Sequence, residues 1–215
     1  MFEHEQAYRK DDFEKFLQAA ITICGAGALG SNLAYHLVKQ GYTKIKVLDK
    51  DRVEQHNIPT QLWSTRDVGV VKVRALQNII HRDTGTLIEI IHKELTDSNA
   101  SSLLKNSNLV VDVFDNWASR NAVGSACREL KIPCLHAGMS DDGFAETKWD
   151  EQYNPSSDAT AEKSAPAEAP CNVALSRTLV MLTVAVTAEV IAQFIQSGAQ
   201  INREITLRDL KLWDI

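Results

Sequence analysis

The sequence predicts a doubly wound α/β fold, Rossmann-like, built on a mostly parallel sheet with antiparallel strands toward the C-terminus. Three observations carry that prediction. A β-rich run at residues 20–24 enters the glycine loop G-A-G-A-L-G of residues 25–30, and an amphipathic segment follows at once. Short β-rich runs then alternate with helix-length segments along the chain, the pattern of a parallel sheet with helices on both faces. Finally, 44% of the 215 residues are apolar, enough for one core that buries roughly 70% of the surface an unfolded chain of this size exposes. A single domain spanning residues 1–215 is expected.

The elements follow in order. After the glycine loop, SNLAYHLVKQ places apolar residues at 33, 34, 37 and 38, a helical spacing that Gly41 ends as a C′ residue. KIKVLD is a second strand ending on Asp49, which completes a βαβ unit. VGVVKVRALQNIIHR reads as helix, TLIEIIH as strand, DSNASSLLKN as a short helix and NLVVDVFD as the next strand. WASRNAVGSACREL is helical, and IPCLHAG and FAETKWD are strands, the second of them antiparallel.

Residues 151–171 break the pattern with three prolines and a bias to Ala, Ser and Glu. Such a segment buries too little apolar surface to offset the entropy of ordering it, so a mobile loop is expected. Asn172 can cap a long helix over 173–197 that Gly198 ends, and REITLRDLKLWDI supplies one or two terminal strands.

A net charge of −5 and a pI near 5.7 leave no basic footprint for nucleic acid or an anionic membrane, and neither partner is expected. The charged N-terminal stretch MFEHEQAYRKDDFEKFL shows no export signal. The apolar run at residues 178–188 is shorter than the roughly 20 residues that cross a bilayer, and reads as a buried core helix. Four cysteines without a C-x-x-C pair suggest neither a zinc site nor a disulfide framework, and a cytoplasmic location is expected.

The glycine loop alone does not choose its nucleotide. Gly25 permits the tight turn, Gly27 lets backbone approach phosphate and Gly30 lets the helix pack close, while the helix N-terminus attracts an anion. Asp49 suits a ribose hydroxyl of NAD or of ATP. The residues after it favour a nucleoside triphosphate: Asp51, Asn57 and Gln61, then D-V-G at 67–69 with Lys72 opening a helix. Hydride transfer has no use for these, whereas Lys72 can neutralise phosphate charge, Asn57 can donate to phosphate oxygens and a carboxylate can hold Mg²⁺. Asp112 and Asp115 are candidates for that carboxylate, since they end a strand at the edge where doubly wound sheets bind ligands.

G-A-G-A-L-G, L-D-x-D-x-V-x-x-x-N-I-x-x-Q, D-V-G-x-x-K and V-D-x-x-D-N-x-x-x-R, in this order over residues 20–140, resemble the ThiF/MoeB/HesA-type adenylyltransferases, the superfamily of the ubiquitin-activating enzymes. The resemblance implies a homodimer or heterodimer that uses Mg-ATP to adenylate a carboxylate, typically the C-terminal glycine of a ubiquitin-like or sulfur-carrier protein. It gives Asp49 the ribose, Asn57 and Lys72 the phosphates, and Asp115 the metal and the charge at the α-phosphate. Asn116 and Arg120 shape the same turn.

One position departs from the family. Where the family commonly writes N-L-x-R-Q, this chain has Thr60 in N-I-P-T-Q. Losing a charge-stabilising donor of that kind costs on the order of several kcal/mol in the transition state. Arg66 is close in sequence, and Arg9, in a Tyr-Arg pair resembling the family's N-terminal arginine, is a candidate to reach the partner's site across a dimer.

Among the cysteines, Cys24, Cys127 and Cys134 read as core residues. Cys171 ends the proline-bearing segment one residue before an expected N-cap, where a helix N-terminus favours thiolate, so it is the candidate nucleophile for a thioester, with an inert loop thiol as the alternative. His136 reads as structural. By the resemblance, residues 151–171 form a crossover loop over the tail of the protein or peptide substrate. An ATP-dependent adenylyltransferase acting on such a tail is therefore the expected function. The alternatives are a non-catalytic subunit of a heterodimeric activating complex, which would explain Thr60, and an NAD-dependent oxidoreductase, which leaves Asn57, Lys72 and Asp115 without work.

Overall fold

The computed structural model describes residues 10–140, 143–153 and 177–207, together with Glu3. Helix α1 (Lys10–Gln18) leads into strand β1 (Ala20–Cys24), helix α2 (Ala28–Lys39) and β2 (Lys44–Leu48). Then come α3 (Lys72–Thr84), β3 (Glu89–Ile91), α4 (Ala100–Leu104), β4 (Leu109–Asp112) and α5 (Trp117–Leu130). Strands β5 (Cys134–Met139) and β6 (Phe144–Trp149), helix α6 (Arg177–Ser197) and β7 (Arg203–Thr206) complete the described elements.

The sheet order is β3-β2-β1-β4-β5-β6-β7. The first five are parallel, and β6 and β7 are antiparallel. Alternate residues of the parallel strands feed two cores. Ile21, Ile23, Leu109 and Val111 face the layer of α2, α3 and α6, while Cys24 and Val110 face α4 and α5 with Cys127 and Cys134. The three cysteines expected in the core are buried and unbridged.

One expectation about element extent needs correction. The helix read from Val68 begins at Lys72, because Gly69 takes φ +86° and the chain there folds back on residues 51–53. Gly69 N donates to the Val53 carbonyl, Val53 N to the Val70 carbonyl and Lys72 N to the Asp51 carbonyl, at 2.8, 2.8 and 2.9 Å. Helix α6 ends at Ser197 as expected and, although its 21 residues are long and apolar enough to cross a bilayer, half of its most apolar window is buried within the fold. Leu179, Val180, Val184, Ala188 and Ile191 are buried within the fold, while Met181 is exposed.

What positions a site is the crossover at β1 and β4. The chain lays β2 and β3 on one side of β1 and then returns to lay β4 on the other, so the loops leaving β1 and β4 diverge at a topological switch point. The two ends are tied together, with Cys24 level with Asp112 and Val113 N donating to the Cys24 carbonyl at 3.1 Å.

Candidate active site at the carboxyl edge of the sheet

The glycine loop leaves β1 by a turn that only glycine adopts without strain. Gly25 has φ +113°, and its N–H donates to the Leu48 carbonyl at 2.8 Å. At Gly30 a Cβ would lie 1.9 Å from the Gly25 carbonyl oxygen, so the first turn of α2 packs directly on the loop. Gly27 is the N-cap of α2 and supplies no side-chain cap, and a Cβ there would meet nothing within 4 Å. The backbone is thus open on the side where the first-turn N–H groups point outward, the arrangement that receives an anion.

Asp49, only 6% exposed, ties this loop to the end of β2. Its Oδ2 accepts from Ala26 N and its Oδ1 from Asp51 N, both at 2.7 Å. Burial pushes its pKa above the ordinary carboxylate value, against the pull of Lys72 and of the two N–H donors. Each oxygen keeps a lone pair for a further donor such as a ribose hydroxyl.

Lys72 opens α3 and is 8% exposed. Its one ion pair among the described residues is with Asp51, at 3.4 Å, and the Asp51 side chain is half exposed. A nearly buried ammonium at a helix N-terminus is disfavoured both by desolvation and by the macrodipole. That ion pair is long and open to solvent, and the Lys72 charge also acts on the buried Asp49 carboxylate.

Asn57 and Gln61 sit in the loop between these two acids and Lys72, and both are buried. Asn57 Oδ1 accepts from Glu54 N at 2.9 Å, which leaves its Nδ2 without a partner among the described residues and available to an acceptor. Gln61 Oε1 accepts from Trp63 Nε1 at 2.6 Å, so its carbonyl anchors the loop. Thr60 is fully buried, and its Oγ1 has no hydrogen-bond partner among the described residues. Its carbonyl accepts at 3.0 Å from Asn32 Nδ2, which also donates to the Ala28 carbonyl in the first turn of α2.

At the end of β4 the two acids differ. Asp112 is fully buried, accepting from Phe114 N and from His136. Asp115, three residues on, is exposed and has no hydrogen bond or ion pair among the described residues. Asn116 caps α5, its Oδ1 accepting from Ser119 N at 2.9 Å. Arg120 reaches back from α5 to fix this turn. Its Nε donates to the Phe114 carbonyl at 2.6 Å, Nη2 to the Ala137 carbonyl at 3.2 Å and Nη1 to the Tyr153 hydroxyl at 2.8 Å.

The sequence did not reveal the network behind Asp112. His136 Nδ1 lies 2.8 Å from Asp112 Oδ2 and its Nε2 lies 3.1 Å from Asp150 Oδ1, while Arg128 donates to both Asp150 oxygens. Tyr153 stacks on the imidazole with ring centroids 4.1 Å apart. His136 is structural, as expected, but it is also the bridge between the β4 turn and the place where the chain leaves β6. Its signal was hidden in register: only when β4 and β5 are paired does His136 fall level with Asp112. Arg66 is exposed in a short 3₁₀ turn. Arg9, Cys171 and most of the expected crossover loop lie outside the described residues.

A family model for the ThiF family matches residues 4–212. The chain belongs to the ThiF family. Over 123 residues it is 38% identical to the adenylyltransferase and sulfurtransferase MOCS3 of Anopheles gambiae, which covers 56% of this chain and 28% of that protein. It is 34% identical over 128 residues to a sulfur carrier protein adenylyltransferase of Thermus thermophilus, covering 59% of this chain and 47% of that one. The chain thus spans less than half the length of these ThiF relatives. The fold is that of E. coli MccB, solved with ATP, with a TM-score of 0.76, 18% identity, and coverage of 93% of this chain and 63% of that one.

Proposed function

We propose that this ThiF-family chain is an ATP-dependent adenylyltransferase that activates the carboxylate at the end of a ubiquitin-like or sulfur-carrier protein, or of a peptide. The observation that carries the reading is Lys72, a nearly buried cation beside an open glycine loop, with a single long contact to a half-exposed acid. A polyphosphate would give this lysine a closer anionic contact than the 3.4 Å one to Asp51. The names of its relatives favour the same chemistry, since they include sulfur carrier protein adenylyltransferase and ubiquitin-like modifier-activating enzyme 5.

In this reading the α2 N-terminus and Gly27 receive phosphate, Asp49 accepts from the ribose, and Asn57 Nδ2 donates to a phosphate oxygen. Asp51 holds Lys72 in place, and Gln61 and Asn116 brace the loops on either side. The exposed carboxylate of Asp115, unpaired among the described residues, fits Mg²⁺, a hard cation that uses one or two carboxylates along with water and phosphate oxygens. Bound there, Mg²⁺ would offset the charge that develops on the phosphates. The substrate carboxylate oxygen attacks the α-phosphorus, the bond from that phosphorus to the bridging oxygen breaks, and pyrophosphate leaves with the electron pair. Lys72 stabilises the departing charge by its position alone, without moving a proton.

The same proposal includes one adenylation domain, a cytoplasmic dimer in which Arg9 reaches the partner's site, a crossover segment at 151–171 above the substrate tail, and Cys171 as the acceptor of a thioester. The fully buried Thr60, at the position of the family's arginine, favours a second reading as the non-catalytic subunit of a heterodimer. Titration with Mg-ATP, NAD and NADH, followed by pyrophosphate exchange with carrier-protein and peptide carboxylates, separates the readings. Exchange that depends on one carboxylate supports the enzyme. ATP binding without exchange favours the subunit, and dinucleotide binding would overturn both.

A further inference from the structure

We propose that Arg177, in α6, is the second cation of the nucleotide site and binds phosphate beyond the α position; this rests on the ATP reading above. Arg177 Nη1 donates to the Pro59 carbonyl at 3.2 Å, and its remaining guanidinium N–H groups have no partner among the described residues. The residue after Pro59, Thr60, is bonded through its carbonyl to Asn32, and Asn32 to the Ala28 carbonyl at the first turn of α2. The loop that holds Arg177 is therefore itself tied to the first turn of α2, next to the glycine loop. The neighbouring Asn57 amide, 4% exposed, has an Nδ2 with no partner among the described residues.

Three arguments point the guanidinium at an anion. The first is its tether, since Nη1 is held at the Pro59 carbonyl, one residue from Thr60, the position where the family commonly places an arginine. The second is the charge balance of the edge: Asp49, Asp51 and Asp115 stand against Lys72, which leaves a polyphosphate short of cations. Lys50 is held by Glu94 at 2.6 Å, and Arg52 donates to the Gly69 carbonyl at 2.8 Å, a shorter contact than the 3.2 Å from Arg177 to Pro59. The third is chemical, since a planar guanidinium tethered by one N–H still offers a fork suited to phosphate oxygens. Arg66 has no such link to α2; its turn is closed by Ser64 and Asp67 instead.

The test is calorimetric titration of the full chain with Mg-ATP and with AMP. Arg177→Gln keeps a side-chain amide that can donate to Pro59 but removes the charge. It should weaken ATP about tenfold or more while leaving AMP within about twofold, and Arg177→Lys should recover much of the loss. Equal ATP affinity in Arg177→Gln and wild type overturns the inference, as does a loss seen with Arg66→Gln in its place. A parallel loss for ATP and AMP would reduce Arg177 to a tether of the loop and also overturn it. Lys72→Met keeps the two readings apart. ATP binding that fails in Lys72→Met but persists in Arg177→Gln removes only the role of Arg177, whereas a wild type that binds no ATP removes both.

Discussion

His136 and Asp112 face one another across the β4–β5 ladder with 2.8 Å between Nδ1 and Oδ2, both buried, and the opposite nitrogen of the same ring meets Asp150. One imidazole therefore joins the strand whose end carries Asp115 to the end of β6, where the chain departs toward its proline-bearing segment. Burial works against a charge on that ring, but hydrogen bonds to Asp112 and Asp150, with their charges, outweigh it and raise the His136 pKa above its ordinary value of 6.5. Burial of Asp150 is likewise outweighed by His136 and Arg128, which hold its carboxyl below 3.8.

The sign of the pH dependence follows. A raised histidine pKa contributes stability that is fully present below 6.5 and is lost as pH rises through the folded-state value. A lowered carboxyl pKa contributes stability that is present above 3.8 and is lost as pH falls through the folded-state value. The stability advantage of wild type over His136→Gln is therefore greatest between about pH 4 and pH 6.5 and shrinks in more alkaline solution. Urea unfolding of both proteins at several pH values measures it; a difference that grows toward pH 9 would mean that the ring is neutral in the fold.

Arg120 offers a separate test of how the Asp115 turn is held. Arg120→Met leaves the Phe114 and Ala137 carbonyls and the Tyr153 hydroxyl without their donor, so a loss of about 2–4 kcal/mol is expected. If the arginine also positions Asp115, the variant should need more Mg²⁺ for half-maximal pyrophosphate exchange. Lysine should not rescue it, because one ammonium cannot reach three separated acceptors. A variant that is less stable but unchanged in Mg²⁺ requirement would confine Arg120 to structure.

Much of this was readable from the chain because it is local. The βαβ start, the helix at 117–130 and the turn at Gly25 are set by short-range periodicity and by glycine chemistry, and the structure has them where the spacing puts them. The start of α3 was misread because Val70 and Val71 look helical in sequence, while the Val70 carbonyl accepts from Val53 N and the flanking Gly69 and Lys72 N–H groups donate to the Val53 and Asp51 carbonyls. The Asp112–His136–Asp150 bridge and the Arg177–Pro59 contact join residues 14 to 118 positions apart, and no local pattern records a pairing of that kind. The glycine loop was visible for the opposite reason, since Gly25 and Gly30 shape a turn within a few residues of each other.

Gly30→Ala tests the closest backbone approach at the site. A methyl group there would lie 1.9 Å from the Gly25 carbonyl oxygen, and the obstacle is backbone, which cannot swing aside as a side chain does. Either α2 shifts along its axis or the loop opens, at a cost of about 1–3 kcal/mol or more. ATP affinity should fall along with thermal stability, since the same turn shapes the anion site. A variant that keeps both would show that α2 and the loop separate easily.

Lys72→Met should separate stability from function most cleanly. The wild-type ammonium is nearly buried, stands at a helix N-terminus and has one 3.4 Å partner whose side chain is half exposed. Its removal eliminates a desolvation cost and an unfavourable helix-dipole contact, but it also leaves the buried Asp49 carboxylate without a nearby cation that lowers its pKa. These effects oppose one another, so stability without nucleotide should change by no more than about 1 kcal/mol. Binding of Mg-ATP should by contrast fall about tenfold to a hundredfold, the range for losing a charge-assisted contact to phosphate. Thermal melts with and without Mg-ATP read both quantities from one sample. Equal melts without ligand and a lost ATP-induced shift in the variant would identify Lys72 as a residue held at a stability disadvantage for the sake of its ligand. A large drop in the ligand-free melt would instead make the Lys72–Asp51 pair part of what holds the β2–α3 loop.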